Sequence, residues 1–155
     1  MTASMPHHLT RIALAATIAL SLGACASRDL SYTEAQALMP AKSPDKGRIY
    51  FYREASWLGN SITPDIVMNG KVVGSSNPGA FFFLDRDPGE YAIFCGQGEH
   101  NNTHVSLAAG QEVYVRTAVA GGIVKAEMQA EVEPPQVALP QIHKLNLFNT
   151  AGDTQ

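Results

Sequence analysis

The sequence predicts an all-β domain, an antiparallel β-sandwich of about eight short strands. Three observations predict this class. Short apolar runs recur through residues 48–133, turns containing Gly, Asn or Pro separate them, and no long segment of helical periodicity lies between them. Two antiparallel sheets packed face to face bury such strands with short connections, so a parallel α/β architecture is not expected.

The first strands are predicted from an aromatic run and a turn. Four consecutive large apolar residues occur in the run Arg48-Ile49-Tyr50-Phe51-Tyr52-Arg53. Successive side chains of a strand point to opposite faces, so this run favours a central strand covered on both faces. Asn69-Gly70 separates the apolar runs at 66–68 and 71–73. Both turn residues tolerate positive φ, so a β-hairpin is predicted there.

A second hairpin is predicted further along the chain. Ala80–Leu84 and Tyr91–Cys95 are apolar runs joined through Asp85-Arg86-Asp87-Pro88-Gly89, whose Pro-Gly pair indicates a turn. The carboxylates of Asp85 and Asp87 are therefore expected to be solvated rather than paired for acid–base chemistry. Tyr91, Ile93 and Cys95 share one face of their strand, so the Cys95 thiol is expected to be buried.

The remaining predicted strands complete the domain. Val105 and Leu107 should point to one side, Ala109-Gly110 should turn into a strand at 113–117, and Gly121-Gly122 should turn again. The last strand alternates between an apolar face (Val124, Ala126, Met128, Ala130, Val132) and a polar face (Lys125, Glu127, Gln129, Glu131, Glu133).

The N-terminus is predicted to be a cleaved export signal, residues 1–24. Arg11 precedes an apolar or small run at 12–24, and this length is typical of a signal peptide rather than of a spanning helix. Leu22-Gly23-Ala24-Cys25 resembles the lipobox of bacterial lipoproteins, which implies that Cys25 is lipidated and anchors the protein to a membrane. The residue after Cys25 is Ala26 rather than Asp. By the same resemblance this implies delivery to the outer membrane, where the protein would face the periplasm.

Composition favours one domain behind this anchor. Removing 24 of the 155 residues leaves 131, close to the commonest domain size. The formal net charge is −3, so a nucleic-acid partner is not expected. A lipidated Cys25 could not pair with Cys95, which would then be a lone thiol.

Two flanking segments are predicted outside the sandwich at 48–133. Residues 25–47 are expected to be a tether with a short helix, because Ser31 and Glu34 form a capping-box pattern and Pro40 ends the helix; the helix could also pack on the domain. Residues 134–155 form a tail. In it Ile142, Leu145 and Phe148 recur at three-residue spacing beyond Pro140, as on a short helix that either packs on the sandwich or docks on a partner.

The motifs between Arg48 and Val132 resemble a known family. Their order is Arg48–Arg53, Met68-Asn69-Gly70-Lys71-Val72-Val73-Gly74, Gly79–Phe83, Asp87-Pro88-Gly89-Glu90-Tyr91 and Gly110-Gln111-Glu112-Val113-Tyr114-Val115. This order and spacing is similar to the bacterial lipoprotein family called domain of unknown function 2846. The resemblance implies a β-domain and an envelope location, and it implies no activity, because none is assigned to that family.

Three groups of residues are candidates for a functional site. Glutamate and histidine are common Zn²⁺ ligands, so one candidate is a zinc site formed by Glu99, His100 and His104. On a strand the two histidines would lie about 13 Å apart, so a metal site would require this segment to form a loop. Trp57 and Leu58 lie in the longest early loop and are a candidate binding loop, but we expect them instead to fold inward and plug one end of the sandwich. Arg48 and Arg53 are expected to pair with acidic side chains, the alternative being an anionic ligand.

The sequence therefore favours a binding or envelope-organisation module over an enzyme. No nucleophile elbow, zinc-protease helix or phosphate-binding glycine loop occurs in it. We expect no cofactor, a membrane contact through Cys25 and an envelope protein as partner. The alternatives are a metal-dependent hydrolase using Glu99, His100 and His104, and an accessory subunit of an envelope or secretion assembly.

Overall fold

The computed structural model describes residues 30–57, 59–96, 102–122 and 125–148. Within these ranges the chain forms ten strands and two helices. Their order is β1 (Leu30–Ser31), α1 (Tyr32–Leu38), β2 (Gly47–Arg53), β3 (Asp65–Met68), β4 (Lys71–Ser75), β5 (Ala80–Arg86), β6 (Gly89–Cys95), β7 (Thr103–Leu107), β8 (Glu112–Gly122), β9 (Lys125–Glu133), α2 (Pro135–Ile142) and β10 (Asn146–Leu147).

The strands form two sheets with a common core. One sheet has the order β1-β10-β5-β2-β8-β9 and the other β4-β3-β6-β7. The predicted all-β sandwich is confirmed, and the two strands beyond the predicted eight are the two-residue strands β1 and β10. Most neighbouring strands are antiparallel, but β2 pairs with β8, and β10 with β5, in parallel.

Strand β2 is the centre of the larger sheet, as its composition predicts. It lies between β5 and β8, and all seven of its residues are buried. Ile49 and Phe51 face the smaller sheet and join the main core, whereas Tyr50 and Tyr52 face the opposite way into a second apolar cluster. The aromatic run is therefore explained by burial on both faces of one strand.

The Asn69-Gly70 hairpin is confirmed between β3 and β4. Asn69 has φ 49° and Gly70 has φ 79°, the positive values that a two-residue type I′ turn requires. The Asn69 side chain also accepts a hydrogen bond from the backbone N–H of Ala92 at 2.8 Å, which ties the turn to β6.

The second predicted hairpin is wrong, because β5 and β6 belong to different sheets. Strand β5 pairs with β2 and β10, and β6 pairs with β3 and β7. The apolar residues of both strands, Phe82 and Leu84 on one and Ile93 and Cys95 on the other, line the same core. They can meet there only from opposite sides, so the Pro-Gly turn carries the chain across the sandwich instead of closing a hairpin.

The strands near the C-terminal end follow the predicted alternation only in part. Gly121 and Gly122 lie within β8 instead of forming the predicted turn, and Val124 lies outside the described residues. Val105 and Leu107 are buried on β7, as expected, and Met128 and Ala130 of β9 face the core. Val132 is 44% exposed, against the prediction. It lies near the end of β9, an edge strand with a neighbour on one side only, where the core no longer covers it.

The segment before β2 contains the predicted short helix. Ser31 and Glu34 form the capping box of α1, with the Ser31 N–H donating to Glu34 Oε2 at 3.1 Å. Ala35 is fully buried in the second apolar cluster, and Lys42 Nζ donates to the carbonyl of Gly110 at 2.6 Å. Of the two alternatives for this helix, the structure has it packed on the sandwich.

The C-terminal helix lies earlier than the spacing of Ile142, Leu145 and Phe148 indicates. Helix α2 begins at Pro135 and contains Pro140, and the chain then turns and extends into β10. The N–H of the first helical residue has no partner within a helix, so proline, which lacks this N–H, is favoured there. This explains why α2 begins at Pro135. Ile142 and Leu145 are buried against the sandwich and Phe148 is partly exposed. Within the described residues, neither helix has the length and apolar character of a membrane span.

Candidate functional site

Several of the predicted site residues lie outside the described residues. These are the lipobox residues Leu22, Gly23, Ala24 and Cys25, the loop residue Leu58, and Glu99 and His100 of the candidate zinc site. His104 is described, and it lies exposed on β7 opposite Ala92. Across the ranges that the structure describes, no group of three His, Cys, Asp or Glu side chains is placed to hold a metal ion.

Trp57 is the most exposed large apolar side chain in the described part of the chain. It lies on the loop at 54–64, called here the Trp57 loop, which connects β2 of the larger sheet to β3 of the smaller one. Its side chain is 91% exposed, so the expectation that Trp57 plugs the end of the sandwich is wrong. Arg53, and not the indole, is the side chain that is buried against the backbone of this loop.

Arg53 holds the Trp57 loop from below. Its guanidinium donates hydrogen bonds to the carbonyls of Ile62 at 2.6 Å, Gly59 at 2.8 Å and Ser76 at 3.0 Å. The side chain is 4% exposed. Three carbonyls from two loops thus converge on one planar donor, which fixes the loop's path while leaving its apolar tip in water.

The expectation that Arg53 pairs with an acidic side chain is wrong. Its hydrogen-bond partners in the described residues are neutral oxygens, including Ser76 Oγ at 3.5 Å. Burial lowers the pKa of the Arg53 guanidinium below its usual value. The group nonetheless keeps its charge, because an arginine pKa starts far above neutrality.

Glycine is required at one position in the Trp57 loop. Gly59 has φ +83°, and a Cβ there would lie 2.7 Å from Val119 Cγ2. The turn is further closed by the Ile62 N–H, which donates to the Gly59 carbonyl at 3.0 Å. The loop is therefore preorganised by Arg53, Gly59 and its own backbone, as a recognition surface requires.

A shallow charged cleft adjoins the Trp57 loop. It has a volume of about 290 Å³ and is lined by the start of the loop and by β8. Arg116 crosses it, pairing with Glu54 at 3.1 Å and lying 3.8 Å from Glu133. Tyr52 donates its hydroxyl to Glu133, and burial together with that carboxylate raises the pKa of Tyr52. Arg116, Glu54, Glu133 and Tyr52 thus each have a partner at this edge of the sheet.

The opposite end of β2 carries further ion pairs. Arg48 binds Asp85 through two bonds, Nε to Oδ1 at 2.6 Å and Nη2 to Oδ2 at 2.8 Å, which confirms acidic pairing for this arginine. Asp85 is consequently not the solvated turn residue that was expected. Asp87 remains largely exposed and pairs with Lys46 at 2.7 Å.

Cys95 is buried, as its strand position predicts. The thiol is free and 5% exposed, and burial raises its pKa to about 11. A thiol in that state is protonated at neutral pH, so it packs as a small apolar group rather than reacting as a nucleophile.

The arrangement can bind, through an aromatic tip and a charged rim, and its supporting residue could not be found from the sequence. Trp57 was a candidate from its type and loop position. Arg53 was singled out, but its three carbonyl partners lie up to 23 positions away along the chain, and no local pattern indicates them.

Two comparisons with known proteins place the chain among relatives without an assigned activity. An uncharacterized protein of Haemophilus influenzae is 27% identical over 135 residues, which cover 84% of this chain and 79% of that protein. No solved structure matches the chain. Residues 43–130, which include β2, Arg53 and Trp57, match the family described as protein of unknown function (DUF2846). The chain therefore belongs to the DUF2846 family.

Proposed function

We propose that this protein is a lipoprotein of the bacterial cell envelope, anchored through a lipid on Cys25, and that it acts by binding through the Trp57 loop rather than by catalysis. The observation that carries the binding proposal is that the Trp57 indole is 91% exposed on a loop whose backbone carbonyls bind a buried arginine. An exposed tryptophan gains free energy when a partner covers it, and a rigid loop loses little conformational entropy on binding.

The anchor is supported by the sequence. Leu22-Gly23-Ala24-Cys25 ends an apolar run of signal-peptide length. The residue after Cys25 is Ala26 and not an aspartate, which is typical of outer-membrane lipoproteins. Two or three acyl chains hold a protein at a bilayer almost permanently, whereas one holds it weakly. We therefore place the domain on the periplasmic side of the outer membrane, where it would organise or contact other envelope components.

The test combines mass spectrometry with site-specific photocrosslinking in intact cells. The intact mass of the purified protein should show loss of residues 1–24 and addition of acyl groups at Cys25. A photoreactive phenylalanine analogue placed at position 57 should form adducts, while the same group at position 72, an exposed valine on β4, should not. The adducts should disappear in Cys25→Ser. Equal adducts at both positions would contradict binding through this loop.

A further inference from the structure

Strand β8 extends further than its neighbour β2. It pairs with β2 only as far as Arg116, which lies opposite Tyr52, whereas its pairing with β9 continues to Gly122. Strand β2 ends at Arg53, and the chain then leaves the sheet as the start of the Trp57 loop. Among the described residues, the part of β8 at 117–122 therefore has a neighbouring strand on one side only. We call this part the free edge of β8.

The backbone of Val119 points its hydrogen-bonding groups to this free edge. At the beginning of the ladder between β2 and β8, the Arg48 N–H donates to the carbonyl of Gln111 at 2.9 Å. Successive residues of a strand direct their N–H and C=O groups to opposite sides, so the odd-numbered residues of β8 direct theirs toward β2. Val119 is the first odd-numbered residue that lies wholly beyond this ladder. Within the described ranges, no group beside the free edge is hydrogen-bonded to its backbone.

The charged cleft of about 290 Å³ adjoins the free edge of β8. Its walls are the first residues of the Trp57 loop, at 54–56, and β8 from Arg116 to Val119. The cleft thus lies where β2 leaves the sheet and the two chains diverge. An added strand can therefore take the position that a longer β2 would have occupied beside β8.

The free edge of β8 lacks the features that usually prevent a strand edge from pairing. The sequence of residues 117–122 contains neither a charged residue nor a proline. The outer edge strand β9, by contrast, carries Lys125, Glu127, Glu131 and Glu133 along its length. A row of unpaired N–H and C=O groups is a template for another extended chain, and charged residues or proline usually block that pairing. Of these two adjacent strands, β9 is protected in this way and the free edge of β8 is not.

We propose that an extended segment of a partner protein adds to the larger sheet as a further strand along the free edge of β8. This inference rests on the proposed function and names the partner of the same site as an extended peptide. A peptide backbone supplies donors and acceptors at the spacing of a strand, so the main chain provides affinity. Trp57 directly follows Ser56 of the cleft wall, so a side chain of the added segment would pack on the exposed indole.

Amide hydrogen exchange, followed by nuclear magnetic resonance, tests whether the edge is open. In the free mature protein we expect the Val119 N–H to exchange about a hundred-fold faster than the N–H groups of Ala118 and Ala120. The reason is that the same alternation directs those two groups into the ladder with β9. Slow exchange at Val119 in the free protein would mean that the chain covers its own edge, and it would overturn the proposal.

Peptide selection tests the added strand itself. A phage-displayed library of random 12-residue peptides would be selected against the purified mature protein, and the affinity of a selected peptide measured by fluorescence polarisation. Val119→Pro removes the N–H at the free edge, where a strand tolerates proline, and Val119→Ala is the matched control that keeps this N–H. We expect Kd to rise at least about ten-fold in Val119→Pro and less than about three-fold in Val119→Ala. In wild type, the bound peptide should also slow exchange of the Val119 N–H.

A second variant keeps the test decisive if circular dichroism shows that Val119→Pro is unfolded. Ala118 lines the cleft and is partly exposed, so Ala118→Trp fills the cleft from β8 while the ladder with β9 stays intact. We expect the same rise in Kd of at least about ten-fold. Unchanged affinity in this variant would contradict strand addition.

The outcomes separate strand addition from binding through the Trp57 loop. If selected peptides bind wild type and Val119→Pro equally but lose affinity in Trp57→Ser, the loop binds and strand addition is wrong. If selection yields no peptide while the photoreactive group at position 57 still forms adducts in cells, strand addition is again wrong and the proposed function stands. If there are neither peptides nor adducts, both proposals fail.

Discussion

Arg48 and Arg53 lie at opposite ends of β2, and each is 4% exposed. Arg48 pairs with the carboxylate of Asp85, lies 4.2 Å from the Phe83 ring centroid and donates to the Pro40 carbonyl at 2.9 Å. Arg53 donates only to neutral oxygens among the described residues. Two arginines of one strand thus bind different partners, a carboxylate at one end of β2 and loop carbonyls at the other.

The pKa values reflect this difference. The pKa of Arg48 is raised, chiefly by its hydrogen bond to Asp85, whereas burial lowers that of Arg53. An ion pair neutralises charge and closes one end of the sandwich. Arg53 has no counter-charge among the described residues, and its donors instead bind the backbone of the Trp57 loop.

The largest expected effect comes from removing the guanidinium of Arg53. Arg53→Met keeps an unbranched apolar stem but removes the donor to the carbonyls of Ile62 and Ser76 and one of the two donors to that of Gly59. We expect a loss of about 4 kcal/mol in the free energy of unfolding, measured by urea denaturation. Arg116→Met is the matched control on the neighbouring strand. Because Arg116 is partly exposed, its loss should be below about 1 kcal/mol. Equal losses would contradict the organising role of Arg53.

At the other end, the charge itself should matter. Asp85→Asn leaves Arg48 buried beside a neutral amide, and we expect a loss of about 3 kcal/mol by the same measurement. Asp87→Asn removes the same charge two residues away from a largely exposed pair with Lys46, so it should change stability by less than about 1 kcal/mol. If the two variants behave alike, the Arg48–Asp85 contact does not hold this end together.

Alkaline pH tests the Arg53 end through its buried thiol. The pKa of Cys95 is about 11 in the fold against a usual 9.0. Between these values the unfolded thiol releases its proton while the folded one keeps it, so stability falls as pH rises. Between pH 8 and pH 11 wild type should lose about 2 kcal/mol more than Cys95→Ala. Tyr52 and Tyr114 also titrate late, but equally in both proteins. Parallel stability curves would show that the thiol is hydrated.

The fold was largely predictable because its signals are local. The Asn69-Gly70 turn, the doubly apolar β2 and the Ser31–Glu34 capping box each involve neighbours within a few residues. The failed hairpin between β5 and β6 shows where such signals end. Pro88-Gly89 indicates a turn, but whether the chain stays in one sheet depends on the side from which each strand faces the common core.

The candidate site was only partly predictable for the same reason. Trp57 could be identified by residue type, but its exposure could not be predicted. The contacts of Arg53 join β2 to carbonyls on two loops. A sequence does not distinguish an arginine that binds carbonyls from one that pairs with a carboxylate. Arg48, with the same flanking position, did find its carboxylate.

The smallest expected effect concerns Trp57 itself. If Arg53 holds the loop from below, the exposed indole contributes little to folding. Trp57→Ser should therefore change the free energy of unfolding by less than about 0.5 kcal/mol, measured by circular dichroism in urea. Tyr52→Ser, which removes a buried aromatic ring from the same strand, should lose at least about 3 kcal/mol in that assay. A comparable loss in Trp57→Ser would mean that the indole packs inward. It would contradict the conclusion that Arg53, and not Trp57, holds this loop.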